Sequence, residues 1–552
     1  MEWPYQFVHL DTAGRHERRV LLDRYGLYAQ LSAFTPIGLA LMLRLTQRTF
    51  NRITGKRLSY GAVPTLQPAT PPRQTTASSF AEKLRRWLWW LGNDIEIAGQ
   101  RWGRVDQLIF GGIWTAWLMF LCVNETGNDY FLLTRKFGAI GASQLPIQYL
   151  LSLKRLSLVA LAFHTSHENI NRWHRVLGWI SYFFIFLHVG GLGAAIFRVV
   201  PVLGMLGLLG MTFLSATTIK AIRQFSYRVF FITHLIVALA LPPAIWFHVP
   251  HGRAFMADAF LFLIADLAVR RFSTVICPAT IDMIPGTSLI KAVVELPPAW
   301  LRRFAAHPAS YAYLSVPQAT CLPSGFISNP FTVASVNEET GHLTFIARRM
   351  HGPTTQTLAR LAGVHWPNTK ATLRLDGPYG AAAYLPDLAA GFDKVLLVAG
   401  GVGMTFIMPL FEHITKESPA TQARLIWAAR DVDEVKWSRL VGENSQIRVF
   451  LTGRHVNSDP TGSSTGSSDE SNDLELDQLE KNSQRTAAVL WKDGTRPDLQ
   501  EVVYEFLGDS AHDRCAIVVC GPAPMARELR KAVGIRIQKG RDVWFHSESF
   551  CW

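Results

Sequence analysis

Seven apolar runs long enough to cross a membrane crowd into the first half of this chain, at 26–45, 107–123, 137–153, 176–197, 201–218, 228–248 and 254–270. A helix of about 20 apolar residues spans the hydrocarbon core of a bilayer. Inside that core each backbone polar group must find its partner within the protein, which favours helices. Residues 26–271 are therefore expected to form a multi-spanning helical domain. Lys154 and Arg155 interrupt the third run, whose apolar character resumes as far as 163. The first run follows a polar, charged start and reads as a retained signal anchor.

Charge orients the bundle. Ten Lys/Arg lie in 46–105, Lys220, Arg223 and Arg228 in a second loop, and Arg270 and Arg271 after the last run. The alternate loops are poorer, with Arg135 and Lys136, then Arg198, then Arg253. The positive-inside rule places the richer loops and everything after 271 in the cytosol. With seven spans the N-terminus is then outside, although its tail carries four Arg. The sequon Asn124-Glu125-Thr126 falls in a loop assigned to the outside. A formal charge of +13 is accounted for by these loops, and no Lys/Arg block interleaves with aromatics, so nucleic acid is not an expected partner. Six cysteines without a CxxC pair signal neither a zinc ribbon nor a disulfide scaffold.

Four histidines sit in this apolar half with a repeated spacing. His174 and His188 are 14 residues apart, and so are His234 and His248. Fourteen residues is about 3.9 turns, or roughly 21 Å along one helix face. The fourth and sixth spans run in the same direction. His174 should thus face His234 at one depth, and His188 should face His248 at the other. Two imidazoles on one iron fill both axial positions of a haem, a geometry suited to electron transfer. A single intramembrane histidine is more often hydrogen-bonded to a neighbour than a ligand; two equal spacings at matching depths favour ligation. His164 and His167 read as solvent-facing or propionate-facing. Pro242-Pro243 is expected to kink the sixth span, and Asp258 and Asp266 to face the bundle interior.

The second half reads as soluble. From 275 to about 385, short alternating runs such as Leu289–Val294 and Leu343–Ala347 suit a β-barrel. From 390, apolar strands at Lys394–Ala399, Ala423–Trp427, Ile447–Leu451 and Cys515–Cys520 alternate with helical stretches, predicting a parallel α/β sheet. Residues 455–485, rich in Ser, Gly and Asn with seven acidic residues, read as a disordered insertion. Gly400-Gly401-Val402-Gly403-Met404-Thr405 follows a strand and precedes a helix, a context for pyrophosphate at a helix N-terminus. Asp376-Gly377-Pro378-Tyr379-Gly380 is expected as a tight turn, and Cys520-Gly521-Pro522 as a ligand-side strand end.

These residues resemble the fungal ferric/cupric reductase family, relatives of the NADPH oxidases whose soluble module has the ferredoxin–NADP reductase fold. The resemblance covers roughly 105–552. It implies a domain order of tail, first helix and basic loop (1–105), transmembrane haem domain (106–271), FAD-binding β-barrel (275–385) and NADPH-binding α/β domain (390–552). The family's haem histidines map onto His174, His188, His234 and His248. Its flavin motif, His-Pro-Phe-Thr, is similar to Asn329-Pro330-Phe331-Thr332, which implies that Pro330, Phe331 and Thr332 lie against FAD. Arg348 to Thr355 resembles the stretch that grips the FAD pyrophosphate. Gly377, Pro378, Gly400, Gly401, Gly403 and Thr405 look like the NADPH phosphate loops. Cys520, Gly521 and Pro522 look like the nicotinamide-side strand end. Trp427-Ala428-Ala429-Arg430 resembles the strand end near the adenosine 2′-phosphate, and Arg430 is the candidate for choosing NADPH, since a guanidinium pairs bidentately with phosphate. The terminus Glu548-Ser549-Phe550-Cys551-Trp552 is similar to the family's Glu-Ser-Phe-x-Trp, where Trp552 would stack on the flavin. Cys520 and Trp552 are the implied catalytic residues.

The implied activity moves electrons from cytosolic NADPH, through FAD and two b-type haems, to extracytoplasmic ferric iron or ferric chelates, with Cu²⁺ as a further acceptor. Such a protein would sit in the plasma or vacuolar membrane and couple to an iron permease or oxidase. An NADPH oxidase making superoxide is the nearest alternative. In that relative one histidine pair is usually a residue closer and the chain ends in Phe. A transporter with a nucleotide-sensing cytosolic domain is the alternative of another class.

Overall fold

The computed structural model describes residues 5–8, 10–53, 76–97, 100–191, 199–317, 328–363, 370–438, 446–453, 489–493, 496–508 and 513–548. The expected insertion at 455–485, Arg198 and Trp552 lie outside the described residues. The chain divides into two compact units, Met1–Ser59 with Trp87–Phe272, and Tyr60–Arg86 with Ser273–Trp552.

The first unit is helical. α1 (Thr12–Ile53) contains the first expected span, α2 (Thr76–Leu91) straddles the boundary between the units, and a hairpin of β1 (Asp94–Ile97) and β2 (Gln100–Arg104) leads into α3 (Val105–Val123). There follow α4 (Tyr130–Ser143), α5 (Leu145–Leu150), α6 (Leu158–Phe163), α7 (His167–Gly190), α8 (Val199–Thr218), α9 (Lys220–Phe225), α10 (Tyr227–His248) and α11 (Arg253–Phe272). By length and composition α1, α3 and α10 are apolar enough to cross a membrane, and Val202–Thr218 in α8 is a shorter apolar helix. α7 and α11 have the length but carry Glu168, Arg172 and Arg175, and Arg253, Asp258, Asp266, Arg270 and Arg271. Local sequence sets the ends. Asp129, Ser166 and Ser226 cap α4, α7 and α10 by accepting from Leu132, Asn169 and Val229 N–H.

The expected third span is not one helix. It begins at Tyr130 rather than 137 and breaks at Gln144, because Pro146 in the next turn has no N–H to continue the ladder. Beyond α5 the freed backbone is caught by the buried Asp266 carboxylate of α11, which accepts from Arg155 N (2.8 Å) and Leu156 N (2.9 Å). Gln30 Nε2 donates to Asp258 at 2.7 Å. Both acids thus face the bundle, as the cost of a carboxylate in lipid requires. α10 runs unbroken through Pro242 and Pro243. Pro242 has no N–H for the Ala238 carbonyl four residues back, and the Tyr149 hydroxyl donates to that carbonyl instead.

The second unit holds a barrel and a sheet. β3 (Thr274–Met283), β4 (Leu289–Glu295), β5 (Tyr311–Ser315), β6 (Asn329–Asn337), β7 (His342–Arg348) and β8 (Ala371–Tyr379) close in the order β3-β4-β7-β6-β5-β8. Cys277, Ala279 and Ile281 alternate inward along β3, the period-two pattern of a strand with one buried face. Helices α12 (Pro298–Ala305) and α13 (Pro353–Ala362) cover its ends. The sheet is parallel throughout, ordered β12-β11-β10-β9-β13-β14, from β9 (Lys394–Gly400), β10 (Gln422–Ala429), β11 (Ile447–Leu451), β12 (Val489–Asp493), β13 (Cys515–Cys520) and β14 (Val543–Glu548). Its crossover helices are α14 (Met404–Glu417), α15 (Leu499–Leu507) and α16 (Ala523–Gln538). β9 is buried from Val395 to Gly400, as a strand flanked on both sides and covered on both faces must be. Asp376–Tyr379, expected as a tight turn, instead continues β8, whose Tyr379 pairs with Tyr311 of β5; only Gly380, at φ 121°, turns the chain.

Candidate functional site: paired histidines and a strand-end cleft

In the first unit, α7 packs on α4 and α8, and α10 on α8 and α11. The rings of His174 (α7) and His234 (α10) face one another with centroids 5.9 Å apart. One iron bonded to both at about 2 Å would hold the ring centroids about 6 Å apart. His188 and His248 lie within electrostatic reach of each other at the other level. The 14-residue spacing thus accompanies His174 and His234 ring to ring, and His188 and His248 near one another. All four rings are half-buried.

Their hydrogen bonds test whether these rings suit a metal. His174 Nδ1 lies 3.0 Å from the Gln148 carbonyl, and His188 Nδ1 lies 2.8 Å from the Thr134 carbonyl. A carbonyl only accepts, so each Nδ1 must carry the proton, and each Nε2 is the nitrogen that presents the lone pair. At His174 the Gln148 amide donates to that lone pair (3.3 Å) and to the His174 carbonyl (2.9 Å), so a metal at Nε2 would take the place of the amide. His234 Nδ1 is buried without a hydrogen-bond partner among the described residues. Among the described residues no three His, Cys, Asp or Glu side chains converge to hold a metal ion. The facing rings of His174 and His234 fit the two axial positions of a haem iron, and His188 and His248 offer a second pair of imidazoles.

The sequence alone does not single out what seats the outer rings. A Cβ on Gly138 of α4 would lie 2.8 Å from His188 Cγ, and one on Gly204 of α8 would lie 2.7 Å from His248 Cε1. Gly138 and Gly204 sit among many apolar-run glycines, and only the packing distinguishes them. His164 ends α6 exposed at φ 50°, and His167 is half-buried at the start of α7.

In the second unit the strand ends converge. Cys520 pairs with Ala399 and with Glu548, and Ala428 with Gly400. A Cβ on Gly403 would meet the Cys520 carbonyl oxygen at 2.1 Å, and one on Gly400 would meet Pro522 Cδ at 2.6 Å. Gly401 has φ 56° and its carbonyl accepts from Trp427 Nε1 at 3.1 Å. Thr405 Oγ1 donates to the Val402 carbonyl at 2.9 Å. Gly400, Gly401, Gly403, Thr405, Cys520, Gly521 and Pro522 are thus one constellation at the carboxyl edge of a parallel sheet, where such folds bind nucleotides. Arg430 lies just past β10, its side chain exposed and its N–H 3.4 Å from Glu434. Burial pushes the Cys520 thiol well above its ordinary range, and the Glu548 carboxylate adds to the shift, so Cys520 is a neutral thiol.

The flavin motif opens β6, where Pro330, Phe331 and Thr332 pair with Tyr313, Ala312 and Tyr311. Tyr311 stacks on Tyr379 (6.0 Å, 25°), and Tyr313 meets Tyr379 edge-on at 5.4 Å. Gly377 and Pro378 are therefore placed beside the flavin motif, within the barrel. Arg348, at the end of β7, reaches Glu434 at 2.7 Å and passes 3.6 Å from where a Gly401 Cβ would stand. Glu434, Glu548 and the Tyr311–Tyr313–Tyr379 cluster carry no motif beyond the short strings around them.

The sequence matches the ferric reductase like transmembrane component over 137–245, the FAD-binding domain over 275–383 and the ferric reductase NAD binding domain over 392–534. The probable metalloreductase AIM14 of Meyerozyma guilliermondii is 22% identical over 437 residues, covering 77% of this chain and 85% of that one. The same-named protein of Scheffersomyces stipitis is 21% identical, over 79% and 85%. The ferric/cupric reductase transmembrane component 2 of Schizosaccharomyces pombe is 22% identical, over 75% and 80%.

Proposed function

From the premise that this chain belongs to the fungal ferric/cupric reductase family, we propose that it carries electrons from cytosolic NADPH, through FAD and two b-type haems, outward to ferric iron or ferric chelates. It is a membrane-embedded metal reductase that binds FAD and a nicotinamide dinucleotide. That activity favours the enzyme reading over the transporter one. The haems, the outward direction, the ferric acceptor and a role in iron uptake are the proposed part.

FAD, when bound, would supply the change from two-electron hydride chemistry to single-electron transfer. The chain's own residues do the rest. The Gly400–Gly403 turn lets backbone N–H groups approach a pyrophosphate, and Arg430 selects the 2′-phosphate. Cys520 offers an uncharged surface to the nicotinamide. Pro330, Phe331 and Thr332 hold the ring system. His174 with His234, and His188 with His248, would hold the two haems, and the two levels are set by a rise of about 21 Å from His174 to His188 along α7. His251 and Arg253 draw anionic chelates to the outer face. Each electron moved outward is worth about 2.3 kcal/mol per 100 mV of membrane potential.

The observation that carries this reading is the tautomer of His174 and His188, each with Nδ1 on a backbone carbonyl, which makes Nε2 the nitrogen able to bind metal. Purified full-length protein should give a b-type reduced-minus-oxidised spectrum with two haems per chain. Intact cells should reduce external Fe(III) chelate with NADPH oxidised inside. Well-folded protein lacking the spectrum would sink the haem assignment, and superoxide without metal reduction would replace the acceptor. Surface labelling against vacuolar fractionation distinguishes the plasma membrane, which we favour, from the vacuole.

A further inference from the structure

The parallel sheet brings no cation of its own to the dinucleotide turn. Neither 400–407 nor 520–526 contains a Lys or Arg. These are the stretches in which the chain leaves β9 and β13, inside the matched NAD binding domain. Backbone N–H groups at a helix N-terminus favour a pyrophosphate, and its two negative charges favour a cation as well. Arg430, just past β10, is assigned to the 2′-phosphate.

The barrel supplies the missing charge. Its strand β7 meets the Gly401–Gly403 turn, and Arg348 Nη2 lies 3.6 Å from where a Gly401 Cβ would stand. The Arg348 side chain is 19% exposed, so it is not a solvated surface cation. Nη2 donates to Glu434 Oε1 at 2.7 Å. A guanidinium has five N–H donors, and among the described residues no hydrogen bond occupies the other four. Glu434 fixes the arginine in place. Its side chain is 8% exposed, and its other oxygen accepts from Arg430 N at 3.4 Å. One carboxylate thus ties the barrel arginine to the strand end that carries Arg430. Packing stiffens the joint. A Cβ on Gly286, between β3 and β4, would collide with the Asp433 carboxylate next to Glu434. Val402 of the dinucleotide turn and Trp437 pack against Leu289, Ala334 and Ile346 of the barrel.

We propose that Arg348, oriented by Glu434, binds the pyrophosphate of the nicotinamide dinucleotide, so that a residue of the flavin barrel completes the site at the Gly400–Gly403 turn. The planar fork pairs with phosphate oxygens through the donors that Glu434 leaves open. This rests on the dinucleotide site assigned to that turn and goes beyond it by naming its cation. The resemblance of 348–355 to a flavin-pyrophosphate grip makes FAD the competing ligand.

The test uses the full chain with its FAD, reading NADP⁺ and 2′-AMP binding by calorimetry and flavin content by absorbance. Arg348→Gln should raise the Kd for NADP⁺ about tenfold or more, the worth of a charged hydrogen bond. Arg348→Lys keeps the charge and loses the fork, and should recover part of that affinity. 2′-AMP carries the 2′-phosphate but no pyrophosphate, and should bind wild type and both variants alike. Flavin content should not change. Unchanged NADP⁺ affinity in Arg348→Gln overturns the proposal. So does an equal loss for 2′-AMP, which would make Arg348 a support of the fold. Loss of FAD also overturns it, by giving Arg348 to the flavin pyrophosphate. Wild-type protein that retains FAD and binds no NADP⁺ would sink the dinucleotide site itself, and the proposal with it.

Discussion

The membrane unit and the nucleotide-binding sheet both build their sites on glycine, but against different neighbours. In the sheet, Gly403 lies against the backbone of Cys520, where an added Cβ would be 2.1 Å from the carbonyl oxygen. In the bundle, Gly138 and Gly204 lie against imidazole rings, 2.8 and 2.7 Å from where a Cβ would stand. Gly403 has φ −58°, which any residue adopts, so space alone demands glycine there. Backbone cannot move aside without disturbing a strand, whereas a ring can swing on its χ angles. The same substitution should therefore damage folding in one region and cofactor retention in the other.

The largest effect is expected from Gly403→Ala. Overpacking against a central strand costs about 3 kcal/mol or more. The variant should show a lowered Tm and lost nucleotide binding by calorimetry. Retention of both would mean the β9–β13 edge yields. Next in size are Gly138→Ala and Gly204→Ala. Each should lose the outer haem, halving the b-type absorbance and cutting external Fe(III) reduction at least about tenfold by interrupting the only route outward. NADPH oxidation by a soluble dye that takes electrons at the flavin should stay near wild type. An equal fall in both assays would place the damage in folding and erase the contrast between the regions.

Much of this contrast was legible in the sequence, and the missing part has a physical cause. The 14-residue spacings specify which histidines meet because a helix converts sequence distance into depth. The strands Ile447–Leu451 and Cys515–Cys520 match the expected bounds because central parallel strands are unbroken apolar runs. β12 and β14 were not foreseen, one beside the Ser/Gly-rich insertion and the other carrying polar His546, Ser547 and Glu548 at its end. The break at Gln144 was hidden because apolar residues continue through it, and only Pro146 hints at it. Gln148 and Thr134 act through backbone carbonyls, which every residue has, so no residue type could announce them. The glycine seats are invisible for a related reason: a glycine's purpose lies in what approaches it.

A smaller effect is expected where a side chain competes for a ring nitrogen beside the backbone bond. Gln148→Leu removes the amide that donates to His174 Nε2 while keeping the carbonyl that fixes its tautomer. Haem should bind at the inner level at least as tightly as in wild type, because the lone pair no longer meets a rival donor. A fall in affinity would show that the amide, beside the carbonyl bond, positions His174.

The smallest effect concerns the neutral thiol of the sheet and is absent at pH 7. Burial raises the Cys520 thiol in the folded chain above its unfolded value, so the folded state favours the protonated form. The sign follows: below about pH 8.5 both states are protonated and stability is unaffected, while above it the unfolded chain loses a proton that the folded chain retains. Stability then falls with rising pH by at most about 1.4 kcal/mol per unit. Cys520→Ala should remove that slope, measured as the difference in Tm between pH 8 and pH 10 against wild type. The bundle offers a control in Gly204→Ala, which alters haem content without touching this thiol and should leave the alkaline slope intact. A slope unchanged by Cys520→Ala would mean the strand edge opens to water before the thiol ionises. That would weaken the claim that rigid backbone packing, rather than side-chain adjustment, defines the nucleotide site.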